Sequence, residues 1–161
     1  MKPKQASLDR LDWKILEALQ ENARISNTEL GKQIGLSQPA VTARIKQLEE
    51  HGVIEGYGAK LNLTRLGLHT SAWIRLRTTH AQIQACLRAF AAMPEVIEAF
   101  RVTGEDCFAV RVVVSQMPEL EAAIDALAKF GAVSTSVVLA NYPQKAILAP
   151  KYSDNKVKPG E

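Results

Sequence analysis

Leu8, Leu11, Ile15, Leu16 and Leu19 recur at helical spacing, so the chain opens on a helix with one buried face. Asp9 suits its N-cap and Asp12 its third position, placing a second carboxylate at the positive helix end. Leu8 and Trp13 are spaced as a hydrophobic staple. The pattern runs out near Asn22-Ala23-Arg24. Ser26-Asn27-Thr28-Glu29 then reads as a capping box opening a short helix with Leu30 and Ile34 inward. Gly35 is placed to end it in a left-handed conformation, and Gly31 in its interior suggests close packing. Ser37 caps a third helix, with Pro39 in the first turn and Val41, Ile45 and Leu48 inward. Gly52 ends it, and Val53 to Leu61 reads as two short strands around a Gly-rich turn.

Beyond a linker at residues 62–68 the period changes to two. Ala72 to Arg77 predicts a strand, and Ile83, Leu87 and Phe90 a helix that stops before Pro94. Val96 to Val102 and Cys107 to Val114 predict two strands around the turn Thr103-Gly104-Glu105-Asp106. Pro118 opens a helix with Leu120, Ile124 and Leu127 inward, and Val133 to Ala140 is a last strand. Lys145 to Leu148 reads as a further short strand. The fold class is therefore α+β: an N-terminal winged helix-turn-helix (residues 1–61) and a C-terminal ferredoxin-like βαββαβ domain (69–150). A polar tail, residues 151–161, is expected to be disordered, and residues 1–7 to be frayed.

Alternation assigns the sheet faces. Phe108, Val110, Val112 and Val114, with Ala72, Ile74 and Leu76, form the helix-covered side. The other side is expected to show Trp73, Arg75, Arg77, Ile97, Ala99, Arg101, Ala109, Arg111 and Val113. A face this mixed suits burial against a partner, and its four arginines need carboxylates or water. Glu98, Glu105 and Asp106, a second chain or a bound small acid are the candidates.

Composition narrows the class without identifying it. Apolar residues make up 47% of 161, too many for a disordered chain. No apolar run approaches the ~20 residues of a membrane span, and the start has no secretory pattern, so a soluble cytoplasmic protein is expected. Cys86 and Cys107 lack metal-ligand spacing and read as reduced, structural thiols; no metal, cofactor or catalytic group is expected. Net charge is +3, with nine Lys/Arg against eight Asp/Glu in the first 60 residues, so no basic block marks a nucleic-acid face.

Any DNA contact must then come from placement. The outer side of the third helix carries Pro39, Thr42, Ala43, Lys46 and Gln47, with Gln38 and Arg44 on its flanks. Small residues permit close approach to a major groove, and Gln, Arg and Lys read base edges or hold phosphates. Ser37 and the helix N-terminus offer N–H groups to a phosphate, and Lys60 in the wing is a further backbone contact.

Leu8-Asp9-Arg10-Leu11-Asp12-Trp13-Lys14-Ile15-Leu16, Ala23-Arg24-Ile25-Ser26, Ile34-Gly35-Leu36-Ser37, Arg44-Ile45-Lys46-Gln47-Leu48-Glu49 and Gly52-Val53-Ile54-Glu55-Gly56-Tyr57 form an ordered motif set. With Val102 to Phe108 and Thr135 to Leu139, it resembles the Lrp/AsnC (leucine-responsive/asparagine-responsive) transcriptional regulators over nearly all of residues 8–142. The resemblance implies a regulator of double-stranded DNA rather than an enzyme. It implies a homodimer with sheets packed face to face, assembling to a tetramer or octamer. It also implies an amino-acid or related effector held between dimers beside Gly104-Glu105-Asp106 and Ser134-Thr135-Ser136. Carboxylates suit an ammonium, and N–H and O–H donors suit a carboxylate. Read without the resemblance, these stretches are a turn with surface acids and a strand of modest polarity. Many members carry Asp-Tyr-Asp-Tyr after this Gly; here Glu105-Asp106-Cys107-Phe108 keeps the acidic character and lacks the tyrosine hydroxyls.

Two other classes share features of the chain. Siroheme decarboxylases have the same two-part architecture, but His51, His69 and His80 are scattered here rather than grouped to steer and protonate a propionate. An oligomeric scaffold would use the helix-turn-helix for protein contact alone.

Overall fold

The computed structural model describes residues 7–149; residues 1–6 and 150–161, with the tail expected to be disordered, lie outside the described residues. Two compact units result, residues 7–60 with 143–149, and Leu61–Tyr142.

The first unit holds α1 (Arg10–Glu21), α2 (Asn27–Ile34) and α3 (Gln38–Glu50). Asp9 accepts the Leu11 and Asp12 backbone N–H groups at 2.8 Å each, and the Asp12 carboxylate accepts the Asp9 N–H at 3.0 Å. This reciprocal cap contributes about 1 kcal/mol to the start of α1. Ser26 caps α2 by accepting the Glu29 N–H at 3.1 Å. Gly35 ends α2 at φ +77°, where a Cβ is disfavoured. A Cβ on Gly31 would lie 2.5 Å from the Leu36 carbonyl oxygen, so Gly31 is needed where the turn folds back on α2. Ile15, Leu30, Val41 and Leu48, one or two from each helix, make the buried centre of the unit.

The expected strand pair at 53–61 and the expected single strand at 145–148 are absent among the described residues. Val53 to Leu61 contains no strand. Each arm is only a few residues long and Gly56 and Gly58 weaken both. The Tyr57 hydroxyl instead donates to the Glu49 carboxylate of α3 at 2.8 Å. Lys145 to Leu148 also forms no strand, and packs with the first unit rather than the second. Its backbone is held by side chains of α1. Gln20 donates to the Ile147 carbonyl at 2.9 Å and accepts its N–H at 2.8 Å, and Glu17 accepts the Ala149 N–H at 3.1 Å. Within the expected linker, Thr64–Leu66 winds into a short 3-10 turn.

The second unit runs β1 (Thr70–Arg77), α4 (Ile83–Ala92), β2 (Val96–Arg101), β3 (Phe108–Val114), α5 (Met117–Ala128) and β4 (Ala132–Val137). The sheet is antiparallel throughout, in the order β2-β3-β1-β4. This is the βαββαβ topology that the alternation predicts. Ala72 lies opposite Val112, Ile74 opposite Val110 and Leu76 opposite Phe108, and all six are buried under α4 and α5. Phe90 meets Phe108 edge-on at 5.1 Å between ring centroids. Leu87, by contrast, is 44% exposed; Cys86 takes the inward position on α4.

The expected face assignment fails on β2. Val96 pairs with Val112 but Glu98 with Arg111, so Ile97 is an extra residue at a bulge. A one-residue insertion exchanges the faces of everything after it. Glu98 and Phe100 therefore join Trp73 on the side opposite the helices. Arg101 goes to the helix side, its guanidinium 5.0 Å from the centre of the Phe108 ring.

Candidate nucleic-acid interface and effector face

Ser37 caps α3 by accepting the Ala40 N–H, at a long 3.4 Å, and Pro39 occupies the first turn. With Val41 and Leu48 buried, Gln38, Pro39, Thr42, Ala43, Lys46 and Gln47 are all exposed. The structure thus brings most of the expected DNA-facing residues to one helix surface. Lys46 reaches Glu50 at 3.7 Å with both side chains largely exposed, a pair worth little and easily given up to a phosphate.

Two expected contacts are placed elsewhere. The Arg44 guanidinium donates to Asp9 at 2.8 Å and to Asp12 at 2.6 Å, tying α3 to the cap of α1. The Asp12 N–H, then the Arg44 guanidinium and the Leu11 N–H, hold the Asp9 carboxyl below its ordinary value. Hydrogen bonds to Asp12 and Asp9 push Arg44 further up. Lys60 borders a groove formed by α1, residues 53–58 and Gln144 to Leu148, in which no residue of α3 takes part. Partial burial and the Glu49 carboxylate push the neighbouring Tyr57 phenol up to about 12.

Asn27, at the first position of α2, is the residue that sequence reasoning missed. Its amide donates to the Thr42 hydroxyl at 2.9 Å, across fifteen residues of chain, a link that helical periodicity does not reveal.

In the second unit three of the four arginines expected on the mixed face reach carboxylates of the same chain. Arg77 pairs with Glu105, Arg75 with Asp106 at 3.9 Å, and Arg111 with Glu98 at 3.7 Å. Arg75 also donates to Ser134 at 3.5 Å, and Arg111 to Ser71 at 3.4 Å. Gly104, Glu105 and Asp106 form the turn between β2 and β3, so β1 arginines connect this loop to β4. Ser134 and Ser136 lie opposite Arg75 and Trp73, on their face of the sheet. Thr135 lies opposite Ile74 and belongs to the helix side, apart from the other five expected effector residues. Trp73 and Phe100 supply an aromatic pair on the polar face, their centroids 6.1 Å apart.

Cys86 is buried, which pushes its thiol up, and the Cys107 Sγ donates to the Thr78 carbonyl at 3.1 Å. Among the described residues no group of His, Cys, Asp and Glu is arranged to hold a metal, and no helix is long and apolar enough to cross a membrane.

Residues 8–55 match the winged helix-turn-helix DNA-binding family and residues 71–147 the Lrp/AsnC ligand binding domain. The leucine-responsive regulatory protein of Rhizobium meliloti is 40% identical over 121 residues, covering 73% of this chain and 77% of that one. The solved structure of Bacillus subtilis LrpC superposes with a TM-score of 0.81 at 28% identity, covering 86% of this chain and 99% of that one. The transcriptional regulator NMB0573 of Neisseria meningitidis, solved as its complex with L-Met, gives 0.79 at 30% identity, covering 89% and 96%. The two halves and their order agree with the fold and with the exposed third helix, and the chain belongs to the Lrp/AsnC family of DNA-binding transcriptional regulators.

Proposed function

We propose that a homodimer of this chain, assembling further to a tetramer or octamer, lays α3 in the major groove of double-stranded DNA and answers to an amino acid or related small molecule. The observation that carries the DNA reading is the exposed α3 surface, where small and hydrogen-bonding side chains surround one weakly paired cation. Ser37, Gln38, Pro39, Thr42, Ala43, Lys46 and Gln47 are its contacts. Arg44 serves by holding α3 against α1 instead. A twofold dimer calls for an imperfect palindrome whose half-sites lie one helical turn, about 34–36 Å, or a multiple apart.

The effector is assigned to the loop Gly104-Glu105-Asp106 and the facing Ser134 and Ser136. Acids, arginines and hydroxyls there suit the two ends of a zwitterion. That a relative of this fold was solved with L-Met supports an amino acid as the ligand class. We place the DNA-binding domain at 1–61 together with 143–149, and the effector and assembly domain at 69–142 rather than the expected 69–150.

Mobility-shift titration on the chain's own promoter region tests the DNA assignment. Lys46→Ala and Gln47→Ala weaken the shift, and unchanged titrations for both refute it. Thermal-shift measurements against the twenty amino acids test the effector: one or more raises the midpoint of the native chain, and Asp106→Ala abolishes that rise.

A further inference from the structure

Thr42 is the centre of a three-residue network on the exposed side of α3. Its hydroxyl donates to the Gln38 main-chain carbonyl at 3.0 Å. A hydroxyl has one proton and two acceptor positions. Both acceptor positions are filled, by the side-chain amides of Asn27 at 2.9 Å and Gln38 at 3.0 Å. The hydroxyl is therefore saturated and has nothing left for a base edge.

This saturation fixes the neighbours. Since the Thr42 proton goes to a main-chain carbonyl, each amide must turn an N–H toward Thr42 and keep its oxygen and second N–H for elsewhere. Neither the Asn27 nor the Gln38 amide oxygen takes part in a hydrogen bond among the described residues. An amide oxygen beside an N–H is the pair that meets adenine N6 and N7 in the major groove, and a methyl group is what meets thymine C5. Thr42, its oxygen engaged, is left with its methyl.

We infer that Asn27, Gln38 and Thr42 form one base-reading unit, in which the Thr42 hydroxyl aligns two amides against neighbouring A·T pairs and the Thr42 methyl packs on a thymine. The unit joins α2 to α3, so Asn27 determines specificity although it lies outside the recognition helix. The inference rests on the proposed DNA-facing role of α3 and adds which bases that helix selects.

Selection from a random duplex library, with the full chain and with variants, tests it. The native chain enriches a half-site with two neighbouring A·T pairs. Asn27→Ala reduces the preference at one of them from about tenfold to near equality, and Gln38→Ala does so at the other. Thr42→Val keeps the shape and the methyl but removes the junction, and blurs both positions together. Asn27→Asp replaces the donor with a second acceptor and moves its position toward cytosine, whose N4 donates. Thermal unfolding identifies any variant that fails to fold, and the remaining three still decide. If folded Asn27→Ala and Thr42→Val proteins enrich the native motif with native weights, or weaken every position alike, the reading unit does not exist. If the native chain enriches no motif at all, it is the DNA-facing role of α3 that fails.

Discussion

At Arg44, carboxylates at 2.8 and 2.6 Å neutralise a cation on the helix proposed to face DNA. The Asp12 side chain is only 15% exposed, so removing Arg44 leaves a half-buried carboxylate unpaired. Arg44→Ala should lower stability by about 1–2 kcal/mol, read as the urea midpoint. The pH dependence follows from the Asp9 shift. A carboxyl held below its unfolded value contributes stability that is present above that value and lost as pH falls through the lowered one. The share of the difference that comes from Asp9 should therefore be constant near neutrality and be lost as the pH falls through that lowered value. A difference that did not shrink there would contradict the Asp9–Arg44 tie. Lys46→Ala should reduce the slope of log K against log salt by about 0.9, the value of one phosphate contact, whereas Arg44→Ala should leave the slope in place. Tyr57 gives an independent check on the same unit. Tyr57 should ionise only near pH 12, and Tyr57→Phe should remove that step from an alkaline absorbance titration. Helical spacing put Arg44 on the flank of the recognition surface and stopped there. Which way a long side chain on a flank turns depends on acids more than thirty residues away, and a cap motif does not announce that it has a third partner.

Among the elements, β2 separates what periodicity can reach from what it cannot. The alternation of β1 and β3 predicts their shared core face correctly, because unbroken strands keep their phase, and the structure pairs Ala72 with Val112, Ile74 with Val110 and Leu76 with Phe108 on it. The bulge at Ile97 breaks that phase in β2. A bulge exists only relative to a partner strand, and the single strand carries no mark of it. The consequence is measurable through two neighbours. Arg101→Ala should cost about 0.5–1 kcal/mol of stability through the lost Phe108 contact and leave association untouched. Phe100→Glu, on the polar face beside Trp73, should weaken self-association in sedimentation equilibrium with little change in the unfolding of the monomer. The opposite result for the pair would restore the uninterrupted alternation. The wing and the Lys145–Leu148 segment failed as strands for a related reason. In the Lys145–Leu148 segment Gln20 and Glu17 of α1 take backbone groups that a partner strand would take, and in the wing Tyr57 turns its hydroxyl to Glu49 of α3.

For the whole molecule, the small charge of the DNA surface sets what assembly has to supply. Lys46 is the one Lys or Arg among the exposed α3 residues proposed to face DNA, so counterion release should give each subunit little affinity. Two α3 helices held at fixed spacing convert the second contact into an intramolecular one, which raises affinity by about 10²–10⁴ without any new contact. In the proposed assembly that gain depends on the sheet face and not on α3, so the two properties should separate. On a duplex with two half-sites, Phe100→Glu should weaken binding by a factor in that range. On a duplex with a single half-site it should bind as the native chain does, since every α3 residue is intact. Insertion of five base pairs between half-sites, which puts the second on the opposite side of the duplex, should reduce native binding toward that of the variant. Equal losses for Phe100→Glu on both duplexes would mean that the substitution damages the DNA-binding unit itself. No loss on either would mean that one subunit suffices, and that the polar face with its arginine–carboxylate pairs has a role other than setting the spacing of α3.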